Sequence, residues 1–291
     1  PRADLTRRSS TRRFWTRAQT TRLCTDSHDI GILREPGRDD GPIPLSSVNM
    51  QSPVAAASML VSLAFAATVL ERWIDRRRPQ DLAWATSLGL FAAGAAALWW
   101  GASTGWSEGS FRAFYAFGAV LNVPILALGT VYLLASRRTA DRIAVATMLA
   151  CAFAAGVVMA APLAGSPHGA TEMFAADELP QGSEVFGAGP RVAAALASSV
   201  GALVVIVGSL WSMMRLGRIG GPAARRGATG NGLIVAGALV LSWGGLLNSV
   251  LDEMTGFAVS LLVGISLIFA GALTATESRS AAGSRPVTPP T

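Results

Sequence analysis

The chain contains no lysine, although it is 291 residues long and carries 24 basic residues, all of which are therefore arginine. Without lysine, the chain can form neither a retinal-type Schiff base nor the phosphate-binding site of a P-loop, which needs that residue. Lysine codons are rich in A, so their absence beside abundant Ala, Gly and Arg indicates a GC-rich, bacterial genome.

Histidine and cysteine are also scarce. The two histidines, His28 and His168, both lie outside the apolar segments, so no His/Glu pair at helical spacing can hold a metal or a haem within a helix bundle. The two cysteines, Cys24 and Cys151, form neither a disulfide framework nor a metal knuckle. We therefore expect no catalytic residue, no metal and no cofactor, and enzyme activity is disfavoured.

Charge is low throughout: 14% of the residues are charged and 51% are hydrophobic. A soluble domain is usually about 25% charged, so this composition indicates a membrane protein. A crossing helix needs ~20 apolar residues. Seven uncharged stretches are long enough, which predicts an all-α, seven-transmembrane helix bundle; they are residues 53–70, 82–102, 113–136, 143–163, 192–214, 230–251 and 254–276.

The arginines predict the orientation of the bundle. From residue 50 onwards, thirteen of them follow spans one, three, five and seven, whereas only Arg112 and Arg191 lie on the other side. Basic residues accumulate in cytoplasmic segments, so the amino terminus is predicted outside and the carboxyl terminus inside, in a bacterial plasma membrane. This distribution makes the high basic content a topology signal, and we expect no nucleic-acid partner. Tryptophans beside the span ends, Trp106 among them, are predicted at the membrane interfaces.

Three segments outside the spans carry separate expectations. Residues 1–49 hold nine arginines on the side where the rule disfavours them, so we expect a disordered tail that is not part of the native protein, which would begin at Met50 or Met59. The alternative is a transit peptide. The stretch "TEMFAADEL", between spans four and five, is either a lid helix or part of a passive connector. Residues 277–291 are predicted to be a disordered cytoplasmic tail.

The third span contains a polar amide and a helix breaker two residues apart, Asn122 and Pro124. Helical steps of three and four from Asn122 also reach Arg112 and Tyr115, so one polar face is expected to point into the bundle. Pro124 removes an N–H and deprives the carbonyl of Val120 of its helical partner, which predicts a kink. In one interpretation Asn122 only repairs that kink; in the other it lines a binding pocket.

Span six supplies the second half of the pocket hypothesis. Asn248 and Asp252 lie on one face of that span by the same helical steps. The predicted ligand-binding residues are therefore Arg112, Tyr115, Asn122, Asn248 and Asp252. For the two charged residues alone, the alternative is capping of helix ends at the membrane surface.

Three stretches, "FRAFYAFGAVLNVPILALGTVYLL", "ELPQGSEVFGAGPR" and "LLNSVLDEMTGF", resemble segments of an uncharacterised family of actinobacterial seven-span integral membrane proteins. The resemblance covers roughly residues 60–275 and implies the membrane fold, but no activity and no site residue. The residues themselves favour a non-enzymatic protein that binds or transports a small or lipid-like molecule through an outward-facing pocket. The alternatives are a sensor or scaffold acting through membrane partner proteins, and an intramembrane enzyme. The lipid bilayer is the partner common to all three.

Overall fold

A computed structural model describes residues 51–163, 182–251 and 254–283 of the chain. Over these residues the backbone forms helices, with one isolated bridge between Leu163 and Phe186 and no named strand. The helices are α1 (Gln51–Arg76), α2 (Pro79–Thr104), α3 (Glu108–Phe114), a π-helical segment (Tyr115–Leu121), α4 (Asn122–Leu134), α5 (Arg137–Ala160), α6 (Gly182–Val185), α7 (Ala188–Ile219), α8 (Pro222–Leu251) and α9 (Met254–Gly283).

Seven helices within the described residues are long and apolar enough to cross a membrane; α3, the π-helical segment and α4 together make the third, Glu108–Leu134. The prediction of an all-α, seven-span membrane protein is confirmed. The helices are longer than the predicted apolar stretches: α7 ends at Ile219 and not at residue 214. Hydropathy detects only the part of a helix that is apolar, whereas backbone hydrogen bonding continues into the polar flanks.

The predictions for the segments outside the spans have different outcomes. The helical backbone of α9 continues to Gly283, seven residues into the stretch for which a tail was predicted. Residues 1–49 and the stretch "TEMFAADEL" lie outside the described part of the chain, so the expectations for them stay predictions.

Short links join successive spans at one end of the bundle. Two residues separate α1 from α2, α4 from α5, and α7 from α8. Gly220 and Gly221, which link α7 to α8, have φ angles of 71° and 88°, in a region that favours glycine. We call this the Arg-rich end, because the following residues cluster there: Arg72, Arg76, Arg77, Arg78, Arg137, Arg138, Arg142, Arg215, Arg218, Arg225 and Arg226.

Six of the seven spans form a closed ring. Going round it, α1 packs on α2, α2 on the third span, the third span on α7, α7 on α8, α8 on α9, and α9 on α1. The remaining span, α5, lies outside the ring against the third span and α7. A ring of six helices leaves space at its centre, and that space is where the candidate site lies.

Glycines allow two of the neighbouring pairs to approach closely. A Cβ atom at Gly237 of α8 would lie 2.6 Å from the carbonyl oxygen of Gly264 in α9, and one at Gly201 of α7 would lie 2.9 Å from the carbonyl oxygen of Val123. Contact of this kind, backbone against backbone, is the usual way in which membrane helices associate. We call the interface between two neighbouring helices of the ring a seam. The seams between α8 and α9 and between α7 and the third span are therefore tightly packed.

Aromatic residues fill the end of the bundle opposite the Arg-rich end. Trp106, which the sequence places at a membrane interface, is completely buried, with its ring 6.1 Å from that of Phe111 and 5.6 Å from that of Phe114. Gly101 makes the room, because a Cβ atom there would lie 2.6 Å from the indole ring. The burial of Trp106 shows that this side of the short turn faces the bundle, and its depth at a membrane interface stays a prediction.

Candidate functional site

The space inside the ring is a cavity of about 460 Å³, within the 300–1,000 Å³ typical of ligand sites. Helices α2, α7, α8 and α9 and the third span all contribute to its lining. Most lining residues are apolar, and none of the described ones is charged. The polar lining residues are Ser87, Asn122, Ser198, Ser199 and Ser242.

The cavity lies at mid-depth and extends away from the Arg-rich end. Ser87 and Asn122 are near the middle of their spans, while Phe114 and Phe257, also in the lining, are close to the opposite helix ends. The cavity is therefore surrounded by the parts of the helices that the bilayer covers.

Asn122 is the most informative residue of the lining. Its side chain is 8% exposed, and the Ser87 hydroxyl donates both to its Oδ1, at 2.7 Å, and to its backbone carbonyl, at 3.0 Å. Because Oδ1 accepts this bond, the amide nitrogen carries two N–H donors. Among the described residues that nitrogen has no hydrogen-bond partner, and it is accessible from the cavity.

The backbone just before Asn122 explains why a proline follows. Residues Tyr115–Leu121 are π-helical, and in a π-helix the carbonyl of residue 119 pairs with the N–H of residue 124. Residue 124 is proline and has no N–H. The Ser198 hydroxyl of α7 donates to the Ala119 carbonyl instead, at 2.6 Å. Pro124 therefore lies where the helix changes from π to α, and a side chain of a neighbouring helix supplies a donor at this point. The predicted bend itself stays a prediction.

Tyr115 lies away from the cavity. Its ring packs 5.9 Å from that of Phe111 and 5.0 Å from that of Phe186, between the third span and the segment before α7. It is not among the described lining residues. The expectation that it shares a face with Asn122 assumed 3.6 residues per turn, and the intervening π-helical turns, which close from residue i to i+5, rotate the two residues apart.

Arg112 attaches the outlying helix α5 to the third span. Its guanidinium donates to the carbonyls of Val158, Met159 and Ala161, at the end of α5, and to Glu108 at 2.8 Å. The last carbonyls of a helix lack internal partners, and a cation there also complements the helix dipole. The geometry matches the capping alternative, and Arg112 is not among the described residues that line the cavity.

The two candidates from span six are only partly within view. The backbone of α8 includes Asn248, three residues after Gly245, which lines the cavity, so Asn248 follows on the same helix face. Its side chain and the whole of Asp252 lie outside what the structure describes. Their proposed contribution to the site stays a prediction.

The sequence did not single out Ser87 and Ser198, the two serines that organise the site. An isolated serine in an apolar span most often bonds to its own helix, so neither position stands out. The described residues contain no group of three or more His, Cys, Asp or Glu that could hold a metal, and Cys151 is a free thiol buried in α5.

Comparisons of the chain with models of known protein families, with curated proteins and with solved structures find no match.

Proposed function

We propose that this membrane protein is a non-enzymatic binding protein for a small, uncharged, lipid-like molecule that carries a hydrogen-bond acceptor. The observation that supports this most strongly is the free amide donor of Asn122 in an otherwise apolar cavity. An apolar pocket with a few placed polar groups is typical of small-molecule sites, in which the polar groups fix the orientation of the ligand. A carbonyl or hydroxyl oxygen would accept from Nδ2, while the rest of the molecule contacts alkyl and aromatic side chains.

The composition of the lining argues for an uncharged ligand. Burying an unpaired charge in an apolar site is costly, and no described lining residue could pair with one. The serine hydroxyls do not compensate, because the Ser87 and Ser198 donors are already used on the protein's own oxygens. The Ser242 donor is likewise used, on the Ala238 carbonyl, and the free Ser199 hydroxyl belongs to an exposed residue of the lining. A neutral molecule with an acceptor therefore matches the Asn122 amide, the free donor at mid-depth.

We further propose that the protein lies in the plasma membrane of a bacterium, such as an actinobacterium, with the Arg-rich end in the cytoplasm. Thirteen arginines against two support this orientation. Reporter fusions after residues 80, 140 and 220 should then report cytoplasm, and fusions at 107 and 175 should report the outside. A reversed signal at any one of these positions would contradict the topology.

The alternatives make different demands on the chain. A sensor must pass a signal to the cytoplasm, and the links of two residues at the Arg-rich end leave no room for a signalling domain in those loops. A sensor would therefore act through a separate membrane protein. An intramembrane enzyme would need reactive groups at the cavity, where the described lining offers one amide and four hydroxyls.

A cavity-filling variant tests the proposed binding. Ala202 lines the cavity on α7, whereas its neighbour Leu203 is 62% exposed on the outer face. Solvent extracts of the purified proteins, analysed by mass spectrometry, should contain an enriched apolar compound for the wild type and for Leu203→Phe. Ala202→Phe should lose that compound, because the added ring occupies the cavity. Equal retention by the two variants, or no enriched compound in the wild type, would contradict the proposal.

A further inference from the structure

The seam between α7 and α8 differs from the two seams beside it, which join α7 to the third span and α8 to α9. The side of α7 that faces away from α8 packs against the third span along its length, through Ser198, Gly201 and Gly208. In the same way, α8 is held against α9 at several levels by glycines, of which Gly230 and Gly237 meet backbone atoms. Each of the two helices is thus anchored to its outer neighbour.

Helices α7 and α8 meet each other near the Arg-rich end. There the Asn231 amide donates to the Ser212 hydroxyl at 3.2 Å, and Met213 lies beside Gly232. The link between the helices is only Gly220 and Gly221. The two helices are therefore fixed together where the chain turns.

Towards the other end the same face of α7 becomes progressively uncovered. Ser209 is buried at 7% exposure, Ile206 and Ala202 are half-buried, and Ser199 and Ala195 are exposed. These five residues follow one another by steps of three and four, so they share one face of the helix. The exposure shows that α8 covers this face near the Arg-rich end and leaves it further along.

Helix α8 shows the matching trend. From Asn231, the same helical steps lead through the buried Ala238 to Ser242, which is exposed, and the adjacent Trp243 is 64% exposed. Ser199 lies 13 residues from Ser212, and Ser242 lies 11 residues from Asn231, which correspond to about 20 Å and 17 Å at ~1.5 Å per residue. The two exposed serines are therefore at nearly the same level, on either side of the seam.

Both exposed serines also line the cavity. Trp211, 59% exposed beside Ser212, is typical of the membrane interface. A level about 20 Å from that interface lies inside a hydrocarbon core of ~30 Å, in the half away from the Arg-rich end. The exposed surface and the cavity lining thus coincide at these two serines, between α7 and α8.

We infer that the cavity opens sideways between α7 and α8 into the leaflet opposite the Arg-rich end, and takes its ligand from the hydrocarbon of that leaflet. This inference rests on the proposed function and narrows its ligand class to molecules dissolved in the bilayer. The apolar, uncharged lining fits such a molecule, because it never has to pass through water. At the opening, the Ser199 hydroxyl, which makes no hydrogen bond to a described residue, can pair with a polar group that enters with the molecule.

Photolabelling of the wild-type protein tests the opening. The probe is a phosphatidylcholine with a diazirine on one acyl chain, placed in a single leaflet of vesicles that hold the chain in one orientation. After irradiation, peptide mass spectrometry should find the label on Phe91 and Leu126, which line the cavity on α2 and α4. We expect at least fivefold more label there when the probe is in the leaflet opposite the Arg-rich end.

A variant locates the opening. Ser199→Trp should reduce the label on Phe91 and Leu126 at least fivefold, whereas Val200→Trp, at the next position but on the outer face, where Val200 is 60% exposed, should leave it unchanged. Labelling of the lipid-facing Leu149 should be equal in all proteins, which controls for folding and insertion.

The outcomes separate the two proposals. Equal labelling of the cavity from both leaflets, or labelling that Ser199→Trp does not reduce, would overturn the lateral opening and leave the binding cavity standing. If the probe labels Leu149 but never reaches Phe91 or Leu126, the cavity does not accept a lipid chain, and both proposals fail.

Discussion

The Ser198 hydroxyl replaces the backbone donor that Pro124 lacks, and this substitution of one donor for another can be measured. Ser198→Ala removes this side-chain donor from the Ala119 carbonyl, next to the turn in which Pro124 has no N–H to offer. In a Pro124→Ala background, residue 124 regains an N–H that can pair with a carbonyl one turn earlier. The loss caused by Ser198→Ala should therefore depend on which residue occupies position 124.

The expected size follows from two competing effects. Leaving a buried carbonyl unsatisfied costs about 1–3 kcal/mol in the free energy of unfolding. Between membrane helices, however, removing a hydrogen bond costs only ~0.6 kcal/mol on average, because the separated helices find other partners. With proline at position 124, that residue has no N–H to replace the lost hydroxyl, so we expect a loss of about 1 kcal/mol for Ser198→Ala. With alanine there, the cost should fall by at least half.

Thermal unfolding of the purified proteins in one detergent provides the assay. For a chain of this size, 1 kcal/mol corresponds to a shift of ~2–4 °C in Tm. Ser199→Ala is the matched control: Ser199 is the next residue, lines the same cavity and makes no hydrogen bond to a described residue, so its Tm should change by less than ~2 °C. Equal losses from Ser198→Ala in the proline and alanine backgrounds would refute the proposed role of the hydroxyl.

Three further predictions concern other parts of the bundle. Asn122→Leu should lower the free energy of unfolding by only about 0.6 kcal/mol, because Ser87 keeps a backbone acceptor. The co-purified compound, measured by mass spectrometry, should nevertheless fall about fivefold or more, because the ligand loses a hydrogen bond that contributes at least ~1 kcal/mol to binding. Unchanged retention of the compound would rule out the amide as a ligand donor. Gly237→Leu should lower the free energy of unfolding by about 1–3 kcal/mol, because the added side chain overpacks against Gly264. Gly156 has open space around it, so Gly156→Ala should not lower the Tm. Similar Tm shifts for the two variants would contradict the close contact. Arg112→Met should increase hydrogen exchange over the last turn of α5 and leave the exchange of α2 unchanged. If the variant and the wild type exchange equally in the last turn of α5, Arg112 does not hold that helix end.

The number and type of the spans could be predicted from the sequence because the cost of burying polar groups in lipid acts on every residue of a span. The position of Asn122 in the site followed from the same rule, since an amide in such a span points into the bundle. Of Arg112, Tyr115 and Asn122, which the sequence grouped on one face, only Asn122 is among the described lining residues, and the reason is local. The grouping assumed a continuous α-helix, and the seven π-helical residues before Asn122 change the rotation along the span. Nothing in the period of apolar residues reveals a π-helical turn.

The partners of the site could not be predicted for a different reason. Ser87 and Ser198 act across helix interfaces, and the contact between α2, α7 and the third span depends on the order of the helices round the ring. Hydropathy gives the length of each span but not its neighbours. The space at the centre of the ring is likewise a property of six helices together.

The most direct test of the central claim is an electron cryomicroscopy map of the protein in lipid nanodiscs, at a resolution that shows side chains. The proposed function predicts elongated density in the central cavity, with one polar end within about 3 Å of the Asn122 amide nitrogen. It also predicts that the Ser87 hydroxyl stays on Asn122 Oδ1. A collapsed cavity with no density, in which the Asn122 amide nitrogen donates to another group of the protein, would contradict the claim and leave Asn122 a purely structural residue.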